Sequence, residues 1–272
     1  MAHTNEFLTA DEYARFTSSP VKCKKLRFKI KSLADYFAVI STLVSGDEIF
    51  WFRGHDNVKY TLIPSALRYG KSEERRKALN LLPEFKRVAD IKIQRPALAN
   101  EELKWVQIAQ HNGLPTRLLD WSESATTALF FASLKSDADG LVFVLNPVDL
   151  NRLSYPDRPR VLDPHLDEKI IGAFLRLGPR KSLSGRNPIA INPVWNSERL
   201  MMQRGVFTLH GSRFEIDPLT VTSLIAIPVL KEMKLRLRSE LQRVGIDEMT
   251  LFPELEHACN HLKRRAGLAG WD

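Results

Sequence analysis

The chain lacks most of the features that mark disulfide-stabilised, secreted or membrane-spanning proteins. Its 272 residues include two cysteines, Cys23 and Cys259, which lie far apart and in no motif. Isolated cysteines of this kind are typical of reduced thiols in a cytoplasm. No apolar run approaches the roughly 20 residues that a membrane-spanning helix needs, and the first residues carry no secretion signal. We therefore expect a cytoplasmic protein that makes no contact with a membrane.

Several catalytic signatures are also missing. The sequence has no cysteine and histidine set with zinc spacing, no glycine-rich phosphate loop or dinucleotide fingerprint, and no Gly-x-Ser-x-Gly elbow. A metal-dependent nuclease needs several convergent carboxylates, and acidic residues do not cluster near the polar run described below. We therefore expect no metal cofactor.

Basic residues outnumber acidic residues, which gives a formal net charge of +8. Such an excess favours acidic partners, including nucleotides and nucleic acid. The charge is concentrated in strips at 22–31, 231–243 and 263–265. We expect nucleotide or nucleic-acid contacts from residues in the first two strips, namely Lys24, Lys25, Arg27, Lys231, Lys234, Arg236 and Arg238. The alternative is that these strips are solvated faces without a ligand.

Hydrophobic periodicity predicts helices and strands that mix without a strict β-α-β order. The predicted helices cover 5–17, 32–45, 71–93, 101–110, 125–134, 167–177, 197–203, 229–243 and 250–265. The predicted strands cover 48–53, 141–145, 205–210 and 224–228, with a weaker extended piece at 60–64. This mixture favours an α+β fold, with a mixed central β-sheet flanked by helices, over a doubly wound parallel sheet.

A polar run in the middle of the chain is the strongest candidate for a functional site. It consists of Gln110-His111-Asn112-Gly113-Leu114-Pro115-Thr116-Arg117-Leu118-Leu119-Asp120-Trp121-Ser122. The run places an imidazole, a guanidinium, a carboxylate and an indole around a turn, and an almost uncharged helical segment follows. Polar groups held on a turn and supported by a buried helix are common in functional sites. We expect Asp120 or Ser122 to cap the N-terminus of that helix.

Two segments of the sequence resemble the FRG domain, which is named for its Phe-Arg-Gly triplet. They are Trp51-Phe52-Arg53-Gly54-His55 and the segment from Gln110 to Ala132. Further matches follow at Gly140 to Pro147, at Gln203 to Thr208 and at Leu251 to Leu255. The resemblance implies an FRG domain at 31–260, preceded by an N-terminal extension at 1–30 and followed by a basic tail at 261–272. Asn112 and Ser122 depart from the usual aromatic residue and threonine, and neither change removes a charged group.

The same segments are similar to arginine-type ADP-ribosyltransferases. Those enzymes have an aromatic-Arg-Gly on their first strand and then a Ser/Thr-rich strand end before an Ala-x-x-Phe-Ala helix, which Ser122 to Ala132 resembles. The similarity implies an ADP-ribosyltransferase-like core and NAD as cofactor. It further implies a toxin or phage-defence effector that transfers ADP-ribose or hydrolyses NAD, with an antitoxin or a phage protein as partner. In those enzymes a glutamate on a later strand is catalytic; Glu198 is the nearest acid here, although its pattern is helical.

These resemblances imply roles for particular side chains. Catalytic roles fall on Arg53, His111, Arg117 and Glu198. NAD-binding roles fall on Arg53, Gly54, His55, Gln110, Thr116, Trp121 and Ser122. Arg53 would grip the dinucleotide phosphates through its bidentate guanidinium, and His111 and Arg117 would orient ribose or phosphate.

Structural roles are open alternatives for the same residues. Arg53 can form an ion pair with Asp120, and His111 and Arg117 can belong to a polar network that fixes the turn. Two other functions also stay open. One is a non-enzymatic nucleic-acid or nucleotide-binding module that uses the same pocket and the basic helices. The other is a metal-independent nuclease that uses His111.

Overall fold

The computed structural model describes residues 6–44, 46–92, 101–157, 159–175, 187–211 and 224–268. The helices in these ranges are α1 (Ala10–Thr17), α2 (Leu33–Leu43), α3 (Ser72–Leu79), α4 (Leu81–Lys92), α5 (Glu102–His111), α6 (Ala125–Ala132), α7 (Pro147–Arg152), α8 (Glu168–Leu175), α9 (Glu198–Met202), α10 (Lys231–Arg243), α11 (Glu248–Leu251) and α12 (Leu255–Arg265). The strands are β1 (Lys24–Lys25), β2 (Trp51–His55), β3 (Leu118–Ser122), β4 (Gly140–Leu145), β5 (Ile189–Ile191), β6 (Gly205–Leu209) and β7 (Ile225–Val229). Residues 1–5 of the predicted extension and 269–272 of the predicted tail lie outside the described residues.

The described strands form one mixed sheet in the order β1-β7-β4-β2-β3-β6-β5. The β1–β7 pair is parallel, and the other neighbouring strands are antiparallel. Helices cover both faces of the sheet. The predicted α+β class, with a mixed sheet flanked by helices, is therefore confirmed.

The sheet has an apolar core on each face because side chains alternate along its buried strands. On β4, Leu141 and Phe143 belong to a core shared with Trp51 and Phe16. The intervening Val142 belongs to a second core that includes residues of α2, α6 and α10. A strand that is buried on both faces has a continuously apolar sequence, which is why the pattern at 141–145 predicted β4 correctly.

The described N-terminal residues pack onto the sheet. Phe16 of α1 is fully buried, and the Arg15 guanidinium bonds the carboxylate of Asp139 and lies 3.1 Å from that of Glu232. β1 adds a parallel strand at the edge beside β7. The domain boundaries at 30 and 260 stay predictions, and residues 6–30 contribute to the core of the sheet.

The segment 120–122 differs from its prediction as a helix start. It belongs to β3, which pairs with β6 from Leu118 to Ser122. Burial of Leu118, Leu119, Trp121 and Ser122 around an exposed Asp120 stabilises this strand. The N-cap of α6 is instead Ser124, whose hydroxyl accepts a hydrogen bond from the Thr127 backbone N–H at 3.2 Å.

Other differences concern element boundaries. The predicted helices at 71–93 and 250–265 each divide into two, at Asn80 and after Leu251. The strand predicted at 48–53 runs from Trp51 to His55, and the piece at 60–64 is not a strand. β1, β5 and α7 were not predicted. β1 and β5 are too short to carry a strand pattern of their own and form only by pairing with β7 and β6.

Candidate functional site

The central sheet opens between β2 and β3, and this opening creates a cleft. The two strands register through one residue pair, Phe52 with Ser122. Beyond that pair the Arg53 side chain crosses to β3 and its Nη1 donates a hydrogen bond to the backbone carbonyl of Asp120. A guanidinium thus bridges the two strands where their ladder ends.

The cleft has a volume of about 290 Å³. Its apolar wall includes Phe52, Trp121, Ala128, Phe131, Leu200 and Phe207. Its other lining residues are Arg53, Gly54, Gln107, Gln110, His111, Asp120, Ser122, Thr127, Asn196, Ser197, Arg199 and Gln203. The structure therefore brings together six of the predicted site residues, namely Arg53, Gly54, Gln110, His111, Trp121 and Ser122. The predicted residues His55, Thr116, Arg117 and Glu198 are not in the lining.

Arg53 is a partly buried cation of the cleft. Its side chain is 17% exposed, its Nε donates to His55 Nε2 at 3.0 Å, and its Nη1 is 3.9 Å from Asp120 Oδ2. No described residue accepts a hydrogen bond from Nη2. Burial lowers the pKa of Arg53 to about 10, with Asp120 acting in the opposite direction, so the group stays protonated at neutral pH. A protonated guanidinium with a free N–H edge is suited to an anionic ligand.

His55 supports Arg53 from behind the cleft wall. The imidazole is 4% exposed and packs edge-on against Phe143 at 5.0 Å between ring centroids. Burial, followed by the charges of Arg53 and Arg68, holds the pKa of His55 well below its usual value. The ring is therefore neutral at pH 7, and its Nε2 is the acceptor that orients Arg53.

Asp120 lies across from Arg53 and is held by a short chain of polar side chains. Its Oδ1 accepts a hydrogen bond from Gln110 Nε2 at 2.6 Å. Gln110 Oε1 in turn accepts one from the hydroxyl of Thr116, and Thr116 Oγ1 accepts the backbone N–H of Leu118 at 3.2 Å. Thr116 thus contacts the lining residue Gln110 and does not line the cleft itself. The Asp120 side chain remains 63% exposed.

These polar residues belong to two stretches that a known family shares. A family model described as the FRG domain matches residues 48–140. Residues 48–140 therefore correspond to an FRG domain. The matched range contains Arg53, Gly54, Gln110 and Asp120, so the residues that carried the resemblance in the sequence also form the cleft. The chain matches no curated protein and no solved structure. The similarity to ADP-ribosyltransferases therefore stays a prediction.

Arg117 of the FRG domain lies inside the protein, away from the cleft. It is 8% exposed, and its Nη2 donates to the backbone carbonyl of Leu175 at 2.7 Å. Burial lowers its pKa to about 10. These contacts tie the start of β3 to α8, and they differ from the turn-fixing polar network that was the structural alternative for this residue. Glu198 also departs from the expected place: it is the exposed first residue of α9, and its neighbours Ser197 and Arg199 line the cleft.

A second carboxylate, Glu254, lies at the rim of the cleft and was not singled out from the sequence. Its Oε1 is 3.7 Å from His111 Nε2 and 3.7 Å from Arg199 Nη1. The guanidinium of Arg199 also lies 4.6 Å over the ring of Phe252. The segment from Leu251 to Leu255 matched the family pattern, and that was the one signal in the sequence for this position.

Ser122 and Trp121 have hydrogen-bond partners near and on β6, outside the matched range. The Ser122 hydroxyl donates to the carbonyl of Gln203 at 2.6 Å and accepts the N–H of Ser124 at 2.9 Å. Trp121 Nε1 donates to Thr208 Oγ1 at 3.1 Å. These bonds fix the floor of the cleft, and the indole forms part of its wall.

The basic residues proposed to contact nucleic acid have different environments. Lys234 is fully buried, and its Nζ donates to the carbonyls of Asp56 and Lys135 at 2.6 and 2.7 Å. Because Lys234 is fully buried, its ammonium group does not reach a ligand on the protein surface. Arg236 pairs with Glu240 at 2.8 Å, and Arg238 donates to the carbonyl of Leu134 at 2.8 Å. The exposed members of the set are Lys24, Arg27, Lys231 and Arg236.

The described ranges contain neither a metal-ligand cluster nor a membrane-spanning helix. In these ranges no group of three or more His, Cys, Asp and Glu side chains is placed to hold a metal ion. The helices of the same ranges include none that is long and apolar enough to cross a membrane.

Proposed function

We propose that this FRG-domain protein is an NAD-using enzyme that transfers ADP-ribose or hydrolyses NAD in the cleft beside Arg53. In a cell it would act as a toxin or phage-defence effector, controlled by an antitoxin or a phage protein. The observation that carries the proposal is the pairing of a partly buried cation, Arg53, with an exposed carboxylate, Asp120, across one cleft.

The cation would bind the pyrophosphate of NAD. Two of the three nitrogens of Arg53 are held by His55 and by the Asp120 carbonyl, and Nη2 is left for a ligand. Because the guanidinium is already oriented, little side-chain entropy is lost when an anion binds. Gly54, next to Arg53, lets α6 pack directly on β2 and so fixes the strand that carries the guanidinium.

The carboxylate would stabilise the positive charge that develops on the nicotinamide ribose. Cleavage of a glycosidic bond passes through an oxocarbenium-like state, and a fixed negative charge lowers its free energy. Asp120 faces the cleft and is fixed by Gln110. We assign it the role that the sequence pattern first suggested for Glu198.

His111 would act as the base for the acceptor. In hydrolysis, the oxygen of water bonds to C1′ of the ribose while the bond from C1′ to the nicotinamide nitrogen breaks, and nicotinamide leaves with the electron pair. The proton of the water passes to the imidazole. Glu254, 3.7 Å from His111 Nε2, would stabilise the resulting imidazolium. In transfer, a nucleophilic group of the acceptor takes the place of water.

The two alternative functions predict that binding or activity depends on other residues and conditions. A nucleic-acid-binding module would depend on exposed basic residues. Of the proposed set, Lys234 is buried and Arg238 is bonded to a backbone carbonyl, whereas Lys24, Arg27, Lys231 and Arg236 are exposed. A metal-independent nuclease would cleave nucleic acid in the presence of a chelator and would lose that activity in His111→Ala. Both are outcomes of the experiment below.

The experiment is a calorimetric titration of the purified protein with NAD, combined with an assay of nicotinamide release. Wild type should bind and turn over NAD, and Arg53→Ala should weaken binding at least tenfold. Asp120→Asn keeps the acceptor for Gln110, so it should bind NAD and release nicotinamide at least 100-fold more slowly. Arg236→Ala, on the exposed face of α10, is the matched control.

The same variants test the biological role. Expression of wild type should slow bacterial growth or block phage, and Arg53→Ala and Asp120→Asn should remove that effect. Failure of wild type to bind NAD overturns the proposal. Binding to nucleic acid at several salt concentrations, with and without chelator, then becomes the next measurement.

A further inference from the structure

Gln107 is a buried polar residue of the cleft that the proposed reaction leaves unused. It lies on α5, one helical turn before His111, and is 4% exposed. It forms part of the cleft wall together with Gln110 and Asn196. A buried carboxamide normally has partners for both its oxygen and its nitrogen, so its contacts are informative.

The hydrogen bonds around Gln107 determine which way the carboxamide faces. The backbone N–H of Val194 donates to its Oε1 at 3.3 Å, and Asn196 Nδ2 lies 3.5 Å from the same atom. A backbone N–H can only donate, so the atom that faces Val194 must be the oxygen. The nitrogen Nε2 therefore lies on the opposite side of the carboxamide.

This nitrogen has two hydrogens and no acceptor among the described residues. A buried donor without an acceptor destabilises the protein unless a ligand or another group completes it. Gln107 lines the cleft, so a ligand bound there is the candidate acceptor. Its apolar wall holds four aromatic side chains, which suit a flat ring: Phe52, Trp121, Phe131 and Phe207.

We propose that Gln107 is the base-recognition residue of the cleft, with its Nε2 donating a hydrogen bond to a planar heterocycle of the substrate. The acceptor is a carbonyl oxygen or a ring nitrogen. NAD supplies both kinds, the first on its nicotinamide carboxamide and the second on its adenine. The inference rests on the proposed function and adds to it the group that selects the substrate.

The test compares Gln107→Glu and Gln107→Met with wild type at pH 8.5. A glutamate at 107 still accepts the Val194 N–H and cannot donate once ionised, so the ligand contact is lost, and thermal unfolding checks that the fold tolerates the buried charge. Methionine has a similar length and removes both contacts. Gln242→Glu, on an exposed position of α10, is the control for added charge. Calorimetry with NAD, nicotinamide mononucleotide and ADP-ribose gives the Kd values, and thermal unfolding reports the fold.

We expect the Kd for NAD to rise about 5- to 20-fold in both Gln107 variants, as for the loss of one hydrogen bond, with Gln242→Glu unchanged. A matching loss for nicotinamide mononucleotide, with ADP-ribose unaffected, assigns the acceptor to nicotinamide. The reverse pattern assigns it to adenine. If the methionine variant does not fold, the glutamate variant decides.

Three results overturn the inference. If wild type binds NAD and the folded Gln107 variants bind it equally well, base recognition is wrong and the proposed function stands. The same conclusion follows if both fragments lose affinity equally, since that indicates a general disturbance of the cleft. If wild type binds none of the three ligands, the proposed function fails and the inference fails with it.

Discussion

Gly54 of β2 lies directly against the backbone of Ala128 in α6. A Cβ atom built on Gly54 would be 1.9 Å from the Ala128 carbonyl oxygen, a distance that no real contact reaches. The helix therefore packs on the strand at the position next to Arg53. This explains in physical terms why the third residue of the Phe-Arg-Gly triplet carries no side chain, and it ties the cleft to the core of the FRG domain.

Gly54→Ala should therefore destabilise the protein by about 3 kcal/mol or more, since the neighbouring atoms belong to backbone and cannot move aside cheaply. Gly70→Ala is the matched control because nothing lies within 4 Å of its added Cβ, and it should change stability by less than about 0.5 kcal/mol. Urea unfolding measures both. Equal midpoints for the two variants would show that α6 does not pack on β2 in this way.

His55 should make the protein sensitive to acid. Its folded-state pKa lies well below 6.5 because burial and Arg53 disfavour the charged ring. Between that lowered pKa and 6.5 the unfolded chain binds the additional proton, so the free energy of unfolding falls as the pH decreases. Gln at 55 offers an acceptor to Arg53 and does not titrate. The free energy of unfolding of wild type should thus decrease more steeply than that of His55→Gln from pH 7 to pH 4.5.

The control for this pH experiment is His165→Gln, which alters an exposed histidine. Its free energy of unfolding should follow the wild-type dependence on pH. Parallel curves for wild type and His55→Gln would mean that His55 is not held neutral by the fold.

Much of the fold could be predicted because several elements carry their own signals. The continuous apolar run of β4 and the Ser32 cap of α2, confirmed by its capping box, are local features. β3 is different. Asp120 and Ser122 are good N-cap residues just before a helix, and the competing strand conformation depends on pairing with β6, about 80 positions along the chain. A local pattern cannot contain that information.

The site was predictable to the extent that its residues lie within two motifs. Arg53, Gln110 and His111 were found this way and meet in the cleft. Arg117 belongs to the same motif as His111, and the sequence could not separate them because its burial against Leu175 depends on how α8 packs on β3. Gln107 and Glu254 were missed because their roles depend on neighbours that are distant in the sequence. Gln107 contacts Val194, and Glu254 lies beside Arg199.

Phe16 tests whether the N-terminal residues are part of the domain. Its ring is fully buried in the core that contains Trp51 and Phe143, so Phe16→Ala should cost about 3–5 kcal/mol. Phe37→Ala, which removes a ring that is 45% exposed on α2, should cost much less. Thermal or urea unfolding compares them. Similar small losses for both would favour a separable N-terminal extension at 1–30 instead.

Lys234 should stabilise the protein increasingly as the pH rises, in contrast to His55. Burial lowers its pKa from 10.5 to about 8, so between these values the unfolded chain holds a proton that the folded protein has released. Raising the pH through this window therefore favours the folded state, by on the order of 3 kcal/mol if the whole shift is realised. Lys234→Met has no such group. The difference in unfolding free energy between wild type and this variant should grow from pH 8 to pH 10.5.

Other residues that titrate in the same range affect both proteins equally and cancel in that difference. Lys231→Met, on an exposed lysine at the start of the same helix, provides the comparison for loss of a lysine without burial, and its difference from wild type should stay constant over the window. A constant difference for Lys234→Met as well would mean that Lys234 keeps an ordinary pKa. The two carbonyls that accept its hydrogen bonds would then be sufficient to hold a full positive charge inside the fold.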